Sequence, residues 1–80
     1  MLSAHGRRTD AYRTLERAVV EHPRDPETWL RLGRFELDAL DLPDRAIETA
    51  GGALVVDPHS RAAELLQQRA RAAGGSVDAP

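Results

Sequence analysis

The sequence has no cysteine and no lysine, and Tyr12, Trp29 and Phe35 are the only aromatic residues among its 80. Without cysteine, disulfides, thiolate metal sites and cysteine nucleophiles are excluded. With so few rings, the core must be built from Ala, Leu and Val, which suits closely packed helices better than a sheet. The frequent Ala, Leu, Arg and Glu residues are also good helix formers, so we expect an all-α chain.

The sequence also lacks long apolar runs and a strong charge of either sign. No run approaches the roughly 18 apolar residues of a membrane span, and residues 1–9 contain no apolar segment typical of a secretory signal. The net charge of −2 favours neither nucleic acid nor an acidic membrane as a partner. We expect a soluble cytoplasmic chain without direct membrane insertion, membrane-associated only as part of a larger chain.

Two stretches of the sequence match each other at an offset of 35 residues. The apolar and proline positions of the first stretch recur in the second, followed by a leucine and an arginine further on. The matched pairs are Ala11/Ala46, Tyr12/Ile47, Leu15/Ala50, Ala18/Ala53, Val19/Leu54, Pro23/Pro58, Leu30/Leu65 and Arg34/Arg69. A period in the thirties is typical of helical solenoids, in which each pair of helices buries its apolar face against the next pair.

Apolar spacing and helix-start residues divide the chain into four helices. Apolar residues recur at the spacing of one helical stripe. Asp25-Pro26-Glu27 is a strong helix start, and Thr9 and Ser60 suit the N-cap position. The predicted divisions are a flexible N-terminus at 1–8, helices at about 9–22, 26–40, 43–56 and 60–73 within one domain at 9–73, and a disordered tail at 74–80.

Several of these residues resemble the signature of the tetratricopeptide repeat. The resemblance covers about residues 10–70 and rests on Trp29, Leu32, Gly33, Ala46, Ala53 and Asp57-Pro58. It implies antiparallel helical hairpins in a right-handed superhelix of about four helices, with Gly and Ala where helices touch. It also implies a scaffold that binds another protein or a peptide, so we predict a protein–protein interaction module and not an enzyme.

The chain departs from the family pattern at three places, one of which is the fourth helix, where Glu64 and Gln67 replace the expected Trp and Leu. The connection before the third helix is one residue longer than usual, which predicts an expanded turn around Asp41. Glu36 occupies a position that is often aromatic in the family, and Phe35 stands beside it. In addition, Gly51 and Gly52 lie inside the third predicted helix, where they allow either the close approach of a neighbouring helix or a local kink.

A narrower resemblance concerns Trp29 to Leu37 and the Asp57-Pro58-His59-Ser60 turn. These segments resemble the soluble helical tail of actinobacterial O-antigen-ligase-type membrane proteins. The resemblance implies an alternative to a free-standing module, namely a detached tail of a membrane-bound cell-envelope polysaccharide ligase or polymerase. A membrane segment encoded upstream would distinguish this alternative.

The residues that could carry catalysis or bind metals form no recognisable site. No two of the three histidines have the i, i+4 spacing of a helical metal site. Asp38, Asp41 and Asp44 lack the alternating acids of a calcium loop, and a helix end followed by a cap accounts for them. With no triad and no phosphate-binding loop, we predict no catalytic residue, no metal and no cofactor.

The family resemblance places the first helix of each repeat along a concave groove. We predict a partner-binding surface there, where Leu30 and Leu65 form an apolar strip. Beside it, Arg34 and Arg69 would pair with an acidic side chain or a C-terminal carboxylate. The residues of this surface are Glu27, Leu30, Arg31, Arg34, Asp38, Leu65 and Arg69. The alternative is that Leu30 and Leu65 pack the helices together and that the arginines are solvated.

The first helix is predicted to expose part of its apolar stripe, because no helix precedes it. The stripe consists of Ala11, Leu15, Ala18 and Val19. It would pack on a second copy to form a homodimer, on another protein, or on the rest of a parent chain. The polar fourth helix is predicted to be a solvating cap. A nucleic-acid-binding role is disfavoured because acids interleave with the arginines along every helix.

Overall fold

Four α-helices make up the part of the chain that the computed structural model describes, residues 4–75. They are α1 (Ala4–Glu21), α2 (Pro26–Asp38), α3 (Pro43–Val56) and α4 (Arg61–Ala72). Each helix packs against its neighbours along the chain, and α2 also contacts α4. The predicted all-α fold of helical hairpins is confirmed, and the right-handed sense of its superhelix stays a prediction. None of these helices is both long and apolar enough to cross a membrane.

Asp25 and Ser60 begin the second and fourth helices, as the sequence predicts. The Asp25 carboxylate accepts a hydrogen bond from the Glu27 amide at 3.0 Å, and Ser60 Oγ accepts one from the Ala63 amide at 3.2 Å. These bonds satisfy amides that have no acceptor within the helix. Pro26 occupies the first turn of α2, where no hydrogen bond requires its missing amide proton.

The first helix is longer than predicted. It begins at Ala4 and not near Thr9, so residues 4–8 are helical and do not belong to a flexible N-terminus. A residue suited to an N-cap starts a helix only when the residues before it are poor helix formers. Here Ala and Arg surround the single Gly6, which weakens the helix without ending it. Residues 1–3 lie outside the described residues.

The turn between α2 and α3 contains a residue with left-handed backbone geometry. Asp41 has a φ of 54°, a conformation that Asp adopts more readily than most residues other than Gly. The Leu42 amide donates to the Glu36 carbonyl at 2.8 Å, which closes the end of α2. The turn around Asp41 thereby takes up the additional residue of this connection, and α2 ends at Asp38, earlier than predicted.

A glycine cap ends α4. Gly74 has a φ of 102°, and the Gly75 amide donates to the Ala70 carbonyl at 2.9 Å. A left-handed glycine after a helix closes the last turn in this way. Gly74 and Gly75 are therefore an ordered cap and not the start of a disordered tail. The remainder of the predicted tail, residues 76–80, lies outside the described residues.

The apolar core lies between α2, α3 and α4. Its buried residues are Leu30, Leu37, Ala46, Ile47, Ala50, Ala53, Ala63, Leu66 and Ala70. The alanines of α3 have no exposed surface, and their small side chains let α2 and α4 approach closely. Among the described residues, α1 contributes only Val19 to the buried apolar set, so α1 is the peripheral helix.

Packing against Trp29 explains why one of the two adjacent glycines in α3, Gly52, has no side chain. A Cβ at Gly52 would overlap the ring of Trp29, whose indole nitrogen donates to the Pro23 carbonyl at 2.8 Å. Gly51 lacks such a constraint, since its nearest side-chain neighbour is Gln67 Nε2 at 3.7 Å. The contact of Gly52 with Trp29 confirms the close approach of a neighbouring helix. Helix α3 runs without interruption through both glycines, and the alternative of a local kink stays a prediction.

The hydrogen bonds of the two turns that precede α2 and α4 reproduce the sequence repeat. The Asp25 amide donates to the His22 carbonyl at 3.1 Å in the first turn, and the Ser60 amide donates to the Asp57 carbonyl at 3.1 Å in the second. These pairs are again 35 residues apart. The α1–α2 pair and the α3–α4 pair are therefore two copies of one structural unit.

The far ends of α2 and α4 repeat each other as well. Leu40 and Tyr12 line one depression beside α1. At the matching positions, Gly75 packs against Ile47, whose Cδ1 would lie 2.8 Å from a Cβ on that glycine. Leu40 and Gly75 thus lie beside matching residues of α1 and α3, as the offset of 35 residues predicts.

Candidate partner-binding surface

An open slot of about 440 Å³ lies between α1 and α2. Half-buried apolar side chains alternate there with exposed charged ones. The slot is formed by Leu15, Phe35, Ala39, Arg31, Arg34 and Asp38, and we call it the α1–α2 slot. Its shape is shallow, and its lining of apolar side chains with a few charges is typical of a binding site.

The two arginines of the slot share one carboxylate. Glu27 Oε1 lies 3.8 Å from Arg31 Nε and 3.6 Å from Arg34 Nη1. All three side chains are largely exposed, so each contact contributes at most about 0.5 kcal/mol to stability. The guanidinium groups are held near the slot only weakly, and a carboxylate from outside can compete for them.

A third arginine, Arg69 of α4, is bound by a carboxylate from a neighbouring helix. Its Nη2 donates to Asp38 Oδ1 at 2.7 Å, which joins α4 to α2. Arg69 stands at the same repeat position as Arg34. In the α3–α4 unit, the arginine at this repeat position is thus paired with a carboxylate of α2, the helix that packs on α4.

The structure changes the predicted groove at one position. Leu30 is 5% exposed and belongs to the core, so it packs the helices together and does not line a surface. Leu65, at the matching repeat position, is 49% exposed. The other predicted groove residues are all exposed: Glu27, Arg31, Arg34, Asp38 and Arg69.

The apolar stripe of α1 is only partly available. Val19 is buried inside the chain, so it is not accessible as part of the predicted oligomer face. Ala11, Leu15 and Ala18 are half-buried, and Leu15 contributes to the α1–α2 slot. The stripe and the slot therefore form one continuous surface along α1.

The three regularly spaced aspartates do not come together. Asp38 pairs with Arg69, Asp41 occupies the turn, and Asp44 lies in the first turn of α3. No group of three metal-ligating side chains occurs within residues 4–75. A helix end followed by a turn and a helix start accounts for this spacing.

A buried carboxylate connects α1 to α2 and α3. Glu36 is 1% exposed. Its Oε2 accepts a hydrogen bond from the Tyr12 hydroxyl at 2.7 Å, and its Oε1 accepts one from Thr49 Oγ1. Arg45 Nε lies 3.8 Å from Oε2. A carboxylate tolerates burial only when it is both hydrogen-bonded and paired with a cation, and these three side chains supply both.

Tyr12 also stacks on Phe35, with ring centroids 6.1 Å apart and planes 20° from parallel. Burial of its hydroxyl, together with the hydrogen bond to Glu36, raises the pKa of Tyr12 above the usual 10.0. Two contacts thus fix α1 beside the slot. The sequence held a signal for this network, because Glu36 follows Trp29 and Leu32 at spacings of seven and four on the apolar stripe of α2.

Comparison with known families identifies the type of repeat. Residues 1–35 match the family model of the tetratricopeptide repeat. Over these residues the chain is similar to a tetratricopeptide repeat. The match covers α1 and most of α2, whereas the signature residues of the sequence extend the resemblance into α3. Tetratricopeptide repeats generally mediate protein–protein interactions and are typically non-catalytic.

No curated protein and no solved structure matched the chain. The narrower resemblance to the tail of O-antigen-ligase-type proteins therefore stays a prediction.

Proposed function

We propose that this chain is a protein-interaction module that accepts a helix of a partner protein in the α1–α2 slot. The observation that supports the proposal most strongly is internal to the chain. In the second unit, the region equivalent to the slot is covered by α2. Gly33 lies against Leu66 of α4 there, and Asp38 binds Arg69. The α2 helix is thus a template for the partner.

The template specifies the chemistry of the partner helix. It carries apolar residues at the positions of Leu30 and Leu37, which face the core. It carries a small residue at the position of Gly33, where Leu66 of α4 leaves no room for a Cβ. It carries an acid at the position of Asp38, because Arg34 stands where Arg69 binds that carboxylate. An amphipathic helix laid into an apolar groove is an established mode of recognition.

A peptide of residues 24–40, which contains α2, is a direct probe of the slot. We expect a fluorescently labelled copy to bind the full chain saturably in an anisotropy titration. The substitution Leu15→Glu places a charge in the slot and should reduce this affinity at least tenfold. The matched control is Val20→Glu on the same helix, at a residue that is 78% exposed and outside the slot, and it should leave the affinity unchanged.

A double-mutant cycle tests the predicted acid contact. The pair consists of Arg34→Ala in the chain and Asp38→Ala in the peptide. We expect each change alone to weaken binding about three- to tenfold and the two together to weaken it little further, since both remove the same ion pair. Equal affinity of the wild-type and Leu15→Glu chains would refute the site.

A further inference from the structure

We infer that the helix that fills the α1–α2 slot is α4 of a second copy of this chain, so that copies associate head to tail. This inference rests on the proposed function and names its partner. The reason is positional. α4 is the repeat equivalent of α2, and α1 is the repeat equivalent of α3. An α4 helix docked on α1 of another copy would recreate the α2–α3 hairpin between two molecules.

Both proposed contact surfaces are more exposed to solvent than the matching surfaces inside the chain, which are covered by a neighbouring helix. Leu65 is 49% exposed, whereas Leu30 at the matching position is 5% exposed, because α3 and α4 cover it. On the other side, Ala11 and Ala18 are half-buried, whereas their equivalents in α3 are fully buried beneath α2. Head-to-tail docking would place Leu65 over the α1 stripe and complete both surfaces.

The charges at the two surfaces are complementary in a specific way. Within the chain, Glu36 of α2 lies 3.8 Å from Arg45 of α3. The residues at the matching positions are Arg71 on α4 and Asp10 on α1. The signs are exchanged, but the pair is still of opposite charge. Both residues are exposed, so both are accessible to a second copy.

A second pair of matching positions shows the same complementarity. Trp29 of α2 packs on Gly52 of α3. Their equivalents are Glu64 on α4 and Arg17 on α1, both exposed. Where Trp29 packs on Gly52 inside the chain, the contact between two copies would instead pair the Glu64 carboxylate with the Arg17 guanidinium. Opposite charges at both ends of the contact fix its register and direction.

The contact differs from a symmetric dimer. It joins two different surfaces, so each added copy offers a fresh slot at one end and a fresh α4 at the other, and the assembly does not close at two. Two features of the α2 template are not reproduced: Gln68 stands at the position of Gly33, and Ala73 stands at the position of Asp38, so α4 brings no carboxylate to Arg34. We therefore expect weak association, with a dissociation constant on the order of 10 μM to 1 mM.

The first experiment is light scattering of the full chain over a concentration series at low ionic strength, where charge pairs are least screened. We expect the mean mass to rise continuously with concentration and to pass twice the monomer mass. A plateau at twice the monomer mass would mean a symmetric dimer and overturn the inference. A constant monomer mass would overturn it as well.

Charge reversal tests the register. Asp10→Arg places two arginines opposite each other at every contact, and Arg71→Asp places two aspartates there. Each variant alone should stay monomeric, with circular dichroism confirming that it folds. An equimolar mixture should regain the mass increase, because the two kinds of copy alternate and every contact has opposite charges. Failure of the mixture to associate, while the wild type does, would refute this register.

Arg13→Asp is the matched control. It changes the charge of α1 by the same amount as Arg71→Asp changes that of α4. Its repeat equivalent, Glu48, is exposed although α2 and α4 are in place, so Arg13 lies outside the contact. Association should persist in this variant. If the chain stays monomeric but binds the α2 peptide in a Leu15-dependent way, the head-to-tail inference alone is wrong. If it binds neither, the proposed function fails too.

Discussion

Glu36 has the most deeply buried large side chain in the described part of the molecule. Three side chains from two other helices meet its carboxylate: Tyr12 from α1, and Arg45 and Thr49 from α3. A buried carboxylate whose partners are removed costs several kcal/mol. The network therefore stabilises the fold only when all its contacts are present, and the loss of one member affects the position of all three helices.

Substitution of Glu36 should separate the two functions of its side chain. Glu36→Ala leaves the Tyr12 and Thr49 hydroxyls without an acceptor and opens a cavity, so we expect a loss of about 3 kcal/mol in the free energy of unfolding. Glu36→Gln keeps the shape and one acceptor oxygen and should cost about 1 kcal/mol. Urea denaturation measures both. Equal losses for the two variants would contradict this account.

Tyr12 makes stability depend on alkaline pH. Its folded-state pKa lies above the unfolded value of about 10, so the neutral phenol is favoured in the folded chain. The resulting stability is present below about pH 10 and is lost as the pH rises through the folded pKa. The chain has no lysine and one tyrosine, so tyrosinate absorbance reports this group alone.

We expect the absorbance midpoint of the native chain to lie above 10. The stability advantage of the wild type over Tyr12→Phe should shrink as the pH approaches that midpoint. A phenol that titrates at 10 or below in the folded chain would show that the bond to Glu36 does not form in solution.

At the scale of the helix, the adjacent glycines of α3 have opposite roles. Gly52 lies beneath the Trp29 ring, whereas Gly51 has space for a Cβ beside Gln67. Glycine inside a helix costs roughly 0.5–1 kcal/mol relative to alanine. Only at Gly52 does packing offset that cost.

The two alanine substitutions should therefore differ in sign. Gly51→Ala should raise the free energy of unfolding by about 0.5–1 kcal/mol, because helix propensity improves without a clash. Gly52→Ala should lower it by about 1–3 kcal/mol, because the Trp29 ring must move from α3. Thermal unfolding of the two variants in parallel is sufficient. A stabilising Gly52→Ala would mean that Trp29 does not pack there.

The helices could be predicted because their signals are local. Asp25, Pro26 and Ser60 set helix starts through contacts within a few residues, and the structure places them as predicted. The start of α1 could not be found in this way, because Thr9 has the chemistry of a cap but lies inside the helix. Periodicity also could not separate core from groove at Leu30 and Leu65, since the same residue type occupies both positions.

At the scale of the whole molecule, α1 is held less firmly than the other helices. The core cluster lies in α2, α3 and α4, whereas α1 is attached through Val19, the Tyr12–Phe35 stack and the bond to Glu36. In a stack of repeats, an end element has one neighbour where an internal element has two. It therefore opens at a lower free energy.

Native-state hydrogen exchange should show this gradient. We expect the amides of α1 to exchange with a lower opening free energy than those of α2 and α3, and Tyr12→Phe to widen the difference. Protection of α1 should increase when the α1–α2 slot is filled. Uniform protection across all four helices would show that the chain opens only as a whole.

The candidate site was predictable in part at this scale. Helical periodicity puts Arg31, Arg34 and Asp38 on one face of α2, and all three are exposed, while their role in binding stays a prediction. The slot itself was not predictable, because it depends on how α1 crosses α2, and Tyr12, Phe35 and Glu36 fix that crossing through contacts between residues distant in sequence. Single-helix patterns contain no information about such a crossing.

The position of Trp29 determines what the intrinsic fluorescence of the chain reports. The indole lies on Gly52 of α3 and donates to the Pro23 carbonyl that follows α1, and it is the only tryptophan in the chain. Tryptophan fluorescence therefore reports only on the contact between α2 and α3. Tyr12 provides a separate signal from the contact of α1 with α2. The α1–α2 and α2–α3 interfaces thus each have a natural chromophore, and the separation of these helices can be followed without any added label.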